Sequence, residues 1–334
     1  MVTRPAPAAA LLMHPKLVAD LFPADLADRL ARTVEFDPGA ATADVSGIDR
    51  LDRVEILITG WGCPAIDPDV LDRAPRLRGI VHAAGTVKGH LHPAVFERGL
   101  AVSTAADANA VPVAEFTLSA LVLAAKGAFT AAGDYAAGKE VFVRPPAEDR
   151  GLYGAVVGIV GASRIGRAVI GLLADHGVHT LIADPYFGPR EARELGAEPV
   201  GLDDLCRRSD LVSLHAPALP ETTGMIDARR LALLRGGAAL INTARGSLVD
   251  TDALTAECAT GRISAVLDVT DPEPLPPDHP LLRLPNVFVT PHLAGSRGRE
   301  LRRLGEFAVT EVERLVRGEA LRGRIRGHDL DRIA

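Results

Sequence analysis

Short apolar runs alternate with stretches of helical periodicity along most of the chain. "AALLMH" (9–14) has the length and composition of a strand, and "PKLVADLFPADLADRLA" (15–31) carries apolar residues at helical spacing. "VEILITG" (54–60) and "LRGIVHAAG" (77–85) read as further strands. From Ala110 the text turns helical over "AVPVAEFTLSALVLAAKGAF", then loosens into "AAGKEVFVRPPAEDRGLYG", with paired prolines and mixed charge. A second series begins at "AVVGIVG" (155–161). Strand-like runs follow at "VHTLIAD", "DLVSLHA", "GAALINTA", "ISAVLDV" and "NVFVTPH". Such alternation predicts an α/β fold with parallel strands. Each run of the second series ends near a residue able to touch a ligand, which is where open parallel sheets carry their sites. "DPEPLPPDHP" (271–280) is proline-rich but short, and reads as a rigid loop.

Composition narrows the function classes. A chain of 334 residues can bury a sizeable core and hold two domains, and 47% hydrophobic with 24% charged residues is ordinary for a globular protein. The net charge of −6, with no dominant basic block, argues against a nucleic-acid partner. The arginines of "RGEALRGRIRG" read as a solvated helix end. Cys63, Cys206 and Cys258 are odd in number and lack metal-ligand spacing, which suits a reducing, cytoplasmic compartment and no metal site. The apolar run near the N-terminus is broken by His14 and Pro15, too early for a signal peptide. The run "FTLSALVLAA" (116–125) is shorter than the roughly 20 residues a membrane helix needs. The expectation is a soluble protein without a membrane partner.

The stretch "GIVGASRIGRAVIG" (158–171) carries the first candidate chemistry. Gly161, Ser163 and Gly166 occupy the three positions of a dinucleotide fingerprint between a buried strand and a helix. Gly161 permits the tight turn, and Gly166 lets helix and strand pack closely. Backbone N–H groups at that helix start face a pyrophosphate. Ile165, Val169, Leu172 and Leu173 are expected on one face of the helix. Asp184 closes the next strand about 20 residues later, placed to accept from ribose hydroxyls and to repel a 2′-phosphate, so NAD is favoured over NADP. Ser163 departs from glycine. If its position requires positive φ, the serine costs about 1–2 kcal/mol, although its hydroxyl is small and able to donate to a phosphate. A glycine turn with no cofactor is the bland alternative.

Three further residues close strand-like runs or sit just beyond them: Arg245 in "INTARGSLVD", Glu273 in "LDVTDPEP" and His292 in "VTPHLAGS". A guanidinium offers a fork of donors matching a carboxylate. Histidine is the natural proton donor near neutrality, and a neighbouring carboxylate stabilises its imidazolium. Together they can hold an acid, tune an imidazole and protonate a carbonyl oxygen. Singly, each reads as readily as a helix cap, a solvated loop charge and a core histidine.

The ordered series "NAVPVAEFTLSALVLA", "GIVGASRIG", "SLHAPALPETTGMI", "NTARGSLVD", "LDVTDPEP" and "TPHLAG" resembles the D-isomer-specific 2-hydroxyacid dehydrogenases, most strongly from about Ala110 to Ser296. The resemblance implies two Rossmann-like or flavodoxin-like parallel-sheet domains. The substrate domain (1–107 with 296–334) is split in sequence around an NAD-binding domain (108–295), and a homodimer is implied. It implies that Arg245 binds and polarises a 2-oxo acid, and that His292, paired with Glu273, is the acid/base. Arg164 and Ile165 would lie against the pyrophosphate and Asp184 against the adenosine ribose. His215, Ala216 and Pro217 would line the adenine side, while Thr243, Ala244 and Asp268 flank the nicotinamide. For His215, packing at a strand end is an equal alternative.

The chain also departs from that pattern. Where the family has a glycine-rich turn and an aspartate after a substrate-domain strand, this chain reads "VHAAGTVKGHLH". Gly85 and Thr86 are expected to offer backbone N–H groups to a substrate carboxylate, and Lys88 to be solvated or to meet a second acidic group. Trp61, the one tryptophan, ends a strand and is expected to wall the substrate pocket or to pack under its loop. The function implied is NAD-dependent interconversion of a 2-oxo acid and a D-2-hydroxy acid. The alternatives are a non-catalytic NAD(H) sensor or co-repressor, and oxidation of formate or phosphite on the same fold.

Overall fold

The computed structural model describes residues 5–139 and 151–330. The chain divides into two compact units, Met1–Ala110 with Ser296–Ala334, and Val111–Gly295. The loose segment expected after Ala136 falls largely outside the described residues.

The first unit opens with four parallel strands, β1 (Ala9–Leu12), β2 (Ile56–Thr59), β3 (Gly79–His82) and β4 (Ala101–Thr104). β2 and β3 are buried throughout, as expected of apolar runs covered on both faces. β4, "AVST", is too short and polar to stand out by composition, and pairing with β3 makes it a strand. The helical pattern over 15–31 breaks at Phe22–Pro23, because proline donates no N–H and a new helix starts behind it.

Helix α1 (Ala106–Ala125) leads into the second unit, followed by α2 (Ala128–Ala136) after a break at Gly127, φ +61°. α1 begins four residues before the expected Ala110. Its 20 residues, with a mean hydropathy of 1.5 over an 18-residue stretch, are long and apolar enough, by length and composition alone, to cross a membrane, so the run 116–125 understates it. Ala114, Ala120 and Leu121 of α1 are buried in the core of this unit with Val157, Ile159 and Val169.

The second unit is a seven-stranded sheet: β5 (Val156–Val160), β6 (His179–Ala183), β7 (Glu198–Pro199), β8 (Leu211–Leu214), β9 (Ala239–Asn242), β10 (Ser264–Leu267) and β11 (Val287–Val289). All pairings are parallel, in the order β11-β10-β9-β8-β5-β6-β7. The order reverses between β5 and β8, the switch point at which such sheets open a crevice. The register aligns Ala183, Val160, Leu214, Asn242, Leu267 and Val289 across the sheet. The residue following each is therefore delivered to one carboxyl edge: Asp184, Gly161, His215, Thr243, Asp268 and Thr290.

Helix α3 (Arg164–Leu173) follows β5 and buries Gly166, Val169, Ile170 and Leu173. Leu172 is exposed rather than inward, because the 3.6-residue period carries 166, 169, 170 and 173 to one side. The chain returns to the first unit through α4 (Leu301–Arg317). This helix buries Leu301, Leu304, Ala308, Val309 and Val312 with Leu21, Leu26 and Leu30, each large side chain contributing about 1.5–3 kcal/mol. Glu311 of α4 is fully buried, accepts from the Arg322 and Gly323 amides and the Ser103 hydroxyl, and so holds β12 (Arg324–Ile325) antiparallel to β4.

Candidate active site

The glycine turn is built by steric necessity. Gly161 has φ +98°, and a Cβ there would sit 2.7 Å from the Ala216 nitrogen and 2.8 Å from the His215 carbonyl carbon. A Cβ on Gly166 would sit 2.2 Å from the Gly161 oxygen. Without side chains, Gly161 packs against the backbone that follows β8 and Gly166 against the turn itself, which sets the start of α3 close to the sheet edge, where helix N–H groups are donors of the kind a pyrophosphate takes.

Ser163 has φ −63° and caps α3, its Oγ accepting from the Gly166 amide at 3.3 Å. The position needs no positive φ, so the strain anticipated for a serine does not arise. Asp184 braces the same turn: its Oδ2 accepts from the Ala162 amide at 2.7 Å and its Oδ1 from the Tyr186 amide at 2.8 Å. Each oxygen retains a lone pair for a ribose hydroxyl. Arg164 is exposed and Ile165 half-buried on the first turn of α3.

The His215 ring is buried, with Nε2 2.8 Å from the Ser213 hydroxyl, and burial pushes its pKa down to about 3, so the ring is neutral. Its backbone, with Ala216, forms the floor against which Gly161 is pressed; Pro217 continues that edge half-buried.

At the next strand, Thr243 and Ala244 are buried, and the Thr243 hydroxyl lies 2.8 Å from that of Thr117 on α1. In the sequence Asn242 is only a near neighbour of Arg245, yet it shapes this turn. Its Nδ2 donates to the Arg245 carbonyl at 2.9 Å and its Oδ1 accepts from the Ala244 amide at 3.0 Å, closing the turn that presents Arg245. A carboxamide ending an otherwise apolar strand was the available signal. The Arg245 guanidinium donates to the Ala244 carbonyl at 2.6 Å. Burial lowers its pKa from the ordinary value, and the Glu273 carboxylate opposes that shift.

The third turn bears the imidazole. His292 Nδ1 lies 2.7 Å from Glu273 Oε1, and both side chains are exposed. An ionised carboxylate only accepts, so in this pairing Nδ1 carries the proton and Nε2 is left outside the pair. An exposed pair of this kind stabilises the fold by about 0–1 kcal/mol; its consequence is orientation. His292 sits at φ +50°, one of two non-glycine residues with positive φ among those described. Asp268 is buried beneath it and accepts from the Thr290 hydroxyl at 2.6 Å, the Leu293 amide at 2.8 Å and the Ala294 amide at 2.9 Å.

Trp61, Gly85, Thr86 and Lys88 belong to the first unit. Trp61 is 40% exposed just beyond β2 and its carbonyl accepts from the His14 amide at 2.9 Å. Gly85 and Thr86 are half-buried beyond β3, and the Thr86 hydroxyl accepts from the amide of the exposed Lys88 at 3.1 Å. Burial pushes the Cys63 thiol up to about 12, which suits packing and not a nucleophile.

Residues 119–294 match the family model described as D-isomer specific 2-hydroxyacid dehydrogenase, NAD binding domain. The chain is 37% identical over 303 residues to D-3-phosphoglycerate dehydrogenase of Mycobacterium tuberculosis, covering 88% of this chain and 57% of that protein. It thus spans about half the length of the curated phosphoglycerate dehydrogenases it matches. It is 34% identical over 276 residues to glyoxylate reductase of Korarchaeum cryptofilum, covering 81% of this chain and 82% of that one. Among solved structures, a phosphoglycerate oxidoreductase from Rhizobium etli superposes with a TM-score of 0.82 at 27% identity, covering 96% of this chain and 98% of that chain.

Proposed function

The chain belongs to the D-isomer specific 2-hydroxyacid dehydrogenase family, and from that premise we propose that it interconverts a 2-oxo acid and a D-2-hydroxy acid with NAD as cofactor. The observation that carries the reading is the exposed His292 imidazole, paired through Nδ1 to Glu273 on the same sheet edge as a glycine turn shaped for pyrophosphate. Gly161, Ser163, Arg164, Ile165 and Gly166 would hold the pyrophosphate, Asp184 the adenosine ribose and His215–Pro217 the adenine side. Thr243, Ala244 and Asp268 would flank the nicotinamide. NADH, once bound, supplies the hydride. His292 Nε2 gives its proton to the substrate carbonyl oxygen while Glu273 keeps the ring oriented. Arg245 holds the substrate carboxylate and offsets charge developing on that oxygen.

Trp61, Gly85 and Thr86 are assigned to substrate recognition in this proposal, with Lys88 a candidate for a second acidic group. A homodimer in a reducing compartment completes it. Exposed Val111, Leu123 and Tyr135 on α1 and α2 support the first point, and three free thiols the second.

The test is NADH oxidation with glyoxylate, hydroxypyruvate, pyruvate and a dicarboxylic oxo acid, run beside NADPH, with formate oxidation as the opposing arm. His292→Asn, asparagine being tolerant of left-handed backbone, should keep NADH binding and lose about 10²–10⁴-fold in turnover. Unchanged turnover would remove His292 from the chemistry. Activity on formate alone would replace the proposed reaction, and NADH binding without turnover on any acid would favour a sensor.

A further inference from the structure

We propose that Asp268 is a positioning residue for the acid/base: its buried carboxylate holds the turn 290–294 so that His292 adopts a left-handed backbone and its ring meets Glu273. The inference rests on the reading of His292 as acid/base and goes beyond it, because the resemblance places Asp268 only beside the nicotinamide.

The geometry is specific. Asp268 is 1% exposed and stands where β10 ends, one residue after the aligned Leu267. Its Oδ1 accepts from both the Thr290 hydroxyl and the Leu293 amide, and its Oδ2 from the Ala294 amide. Its own carbonyl accepts from the His292 amide at 2.8 Å. The donors flank His292 on both sides, so one residue of the neighbouring strand determines the path of the chain through the imidazole. That path is the unfavourable part, since φ +50° on a non-glycine residue persists only where its surroundings over-determine it. Three donors converging on one buried carboxylate are such a surrounding, each bond strengthened by the charge.

A carboxamide in place of the carboxylate reverses one partner. In Asp268→Asn the –NH₂ group would face either the Ala294 amide or the Thr290–Leu293 pair, two donors meeting head to head, and the turn would relax. The remaining oxygen would still accept a hydrogen bond, so a cofactor contact made by this residue is not wholly lost. The experiment measures NADH dissociation constant, kcat and KM for the wild type, Asp268→Asn, His292→Asn and the double variant. Expected are a loss of about 10²-fold in kcat for Asp268→Asn, an NADH affinity within about threefold of wild type, and no further loss when Asp268→Asn is added to His292→Asn.

Loss of NADH affinity in proportion to kcat would overturn the proposal and leave Asp268 with the nicotinamide contact alone. A second, independent loss in the double variant would overturn it too, assigning the residue a role that does not pass through the imidazole. If His292→Asn alone leaves turnover intact, the acid/base reading fails first, and the two failures are thereby told apart. Thr290→Val removes one donor with little change in shape and serves if Asp268→Asn does not fold. It should lower kcat about fivefold at unchanged NADH affinity, and an unchanged kcat would count against the proposal.

Discussion

The turn after β5 and the turn after β11 stand at one edge of the same sheet, and each contains a backbone conformation that L-residues avoid. In the first, Gly161 at φ +98° meets the requirement by having no side chain, and backbone atoms of Ala216 and His215 fill the space a Cβ would need. In the second, a histidine is held at φ +50° and the cost is offset from outside, by a buried carboxylate 24 residues earlier in the chain. On the proposed reading, the first turn can be made of glycine because its backbone would face the cofactor, and the second cannot, because a side chain is what it would present. Where chemistry needs the side chain, strain has to be met by neighbours.

Several measurements sharpen or break this contrast. The largest effect should come from Gly161→Ala, which adds a Cβ within 2.7 Å of the Ala216 nitrogen at a positive φ. A destabilisation of about 3 kcal/mol and loss of NADH binding are expected by urea titration and fluorescence. Retention of wild-type affinity would mean the turn tolerates a side chain after all.

Acidification tests the buried histidine beside the first turn. His215 has its pKa depressed by burial from the ordinary 6.5 to about 3. Between those values the unfolded chain binds a proton that the folded chain refuses, so stability is full above pH 6.5 and falls as pH drops toward 3. The slope is about 1.4 kcal/mol per pH unit for each such histidine. His82, buried in the first unit beside His90 and also held near 3, contributes in the same sense. His215→Gln should flatten urea-midpoint stability over that window, and an unaltered slope would contradict a neutral buried ring.

The smallest effect is expected at the other turn. His292→Gly relieves about 1–2 kcal/mol of left-handed strain against about 0.5–1 kcal/mol of added chain entropy. The variant should therefore lie between the stability of wild type and about 1.5 kcal/mol above it. A clear loss of stability would show that the side chain, and not Asp268, holds the turn.

Much of the architecture was legible because it is local. The nine strand-like runs read from composition are strands, since an apolar run of that length is a property of adjacent residues. β4, β7 and β12 escaped because pairing with neighbours, and not composition, makes them strands. Leu172 was misplaced by reading the helix face from apolarity alone. Ser163 was weighed as a strained replacement for glycine, whereas helix capping lets it sit at φ −63°; that conformation depends on where α3 begins.

The sequence alone specified the alternation of strand and helix, the glycine pair of the turn after β5, and which residue types near the strand ends are able to do proton and carboxylate chemistry. These are matters of residue type and short spacing, settled within a few bonds. Only the tertiary structure decided that Glu273 meets His292 through Nδ1, that Asn242 closes the turn of Arg245, and that Asp268 stands beneath the imidazole. The physical reason is the sheet: parallel register brings residues from separate strand ends to one edge. There a buried charge acts on a backbone angle many residues away, a coupling that no local pattern records.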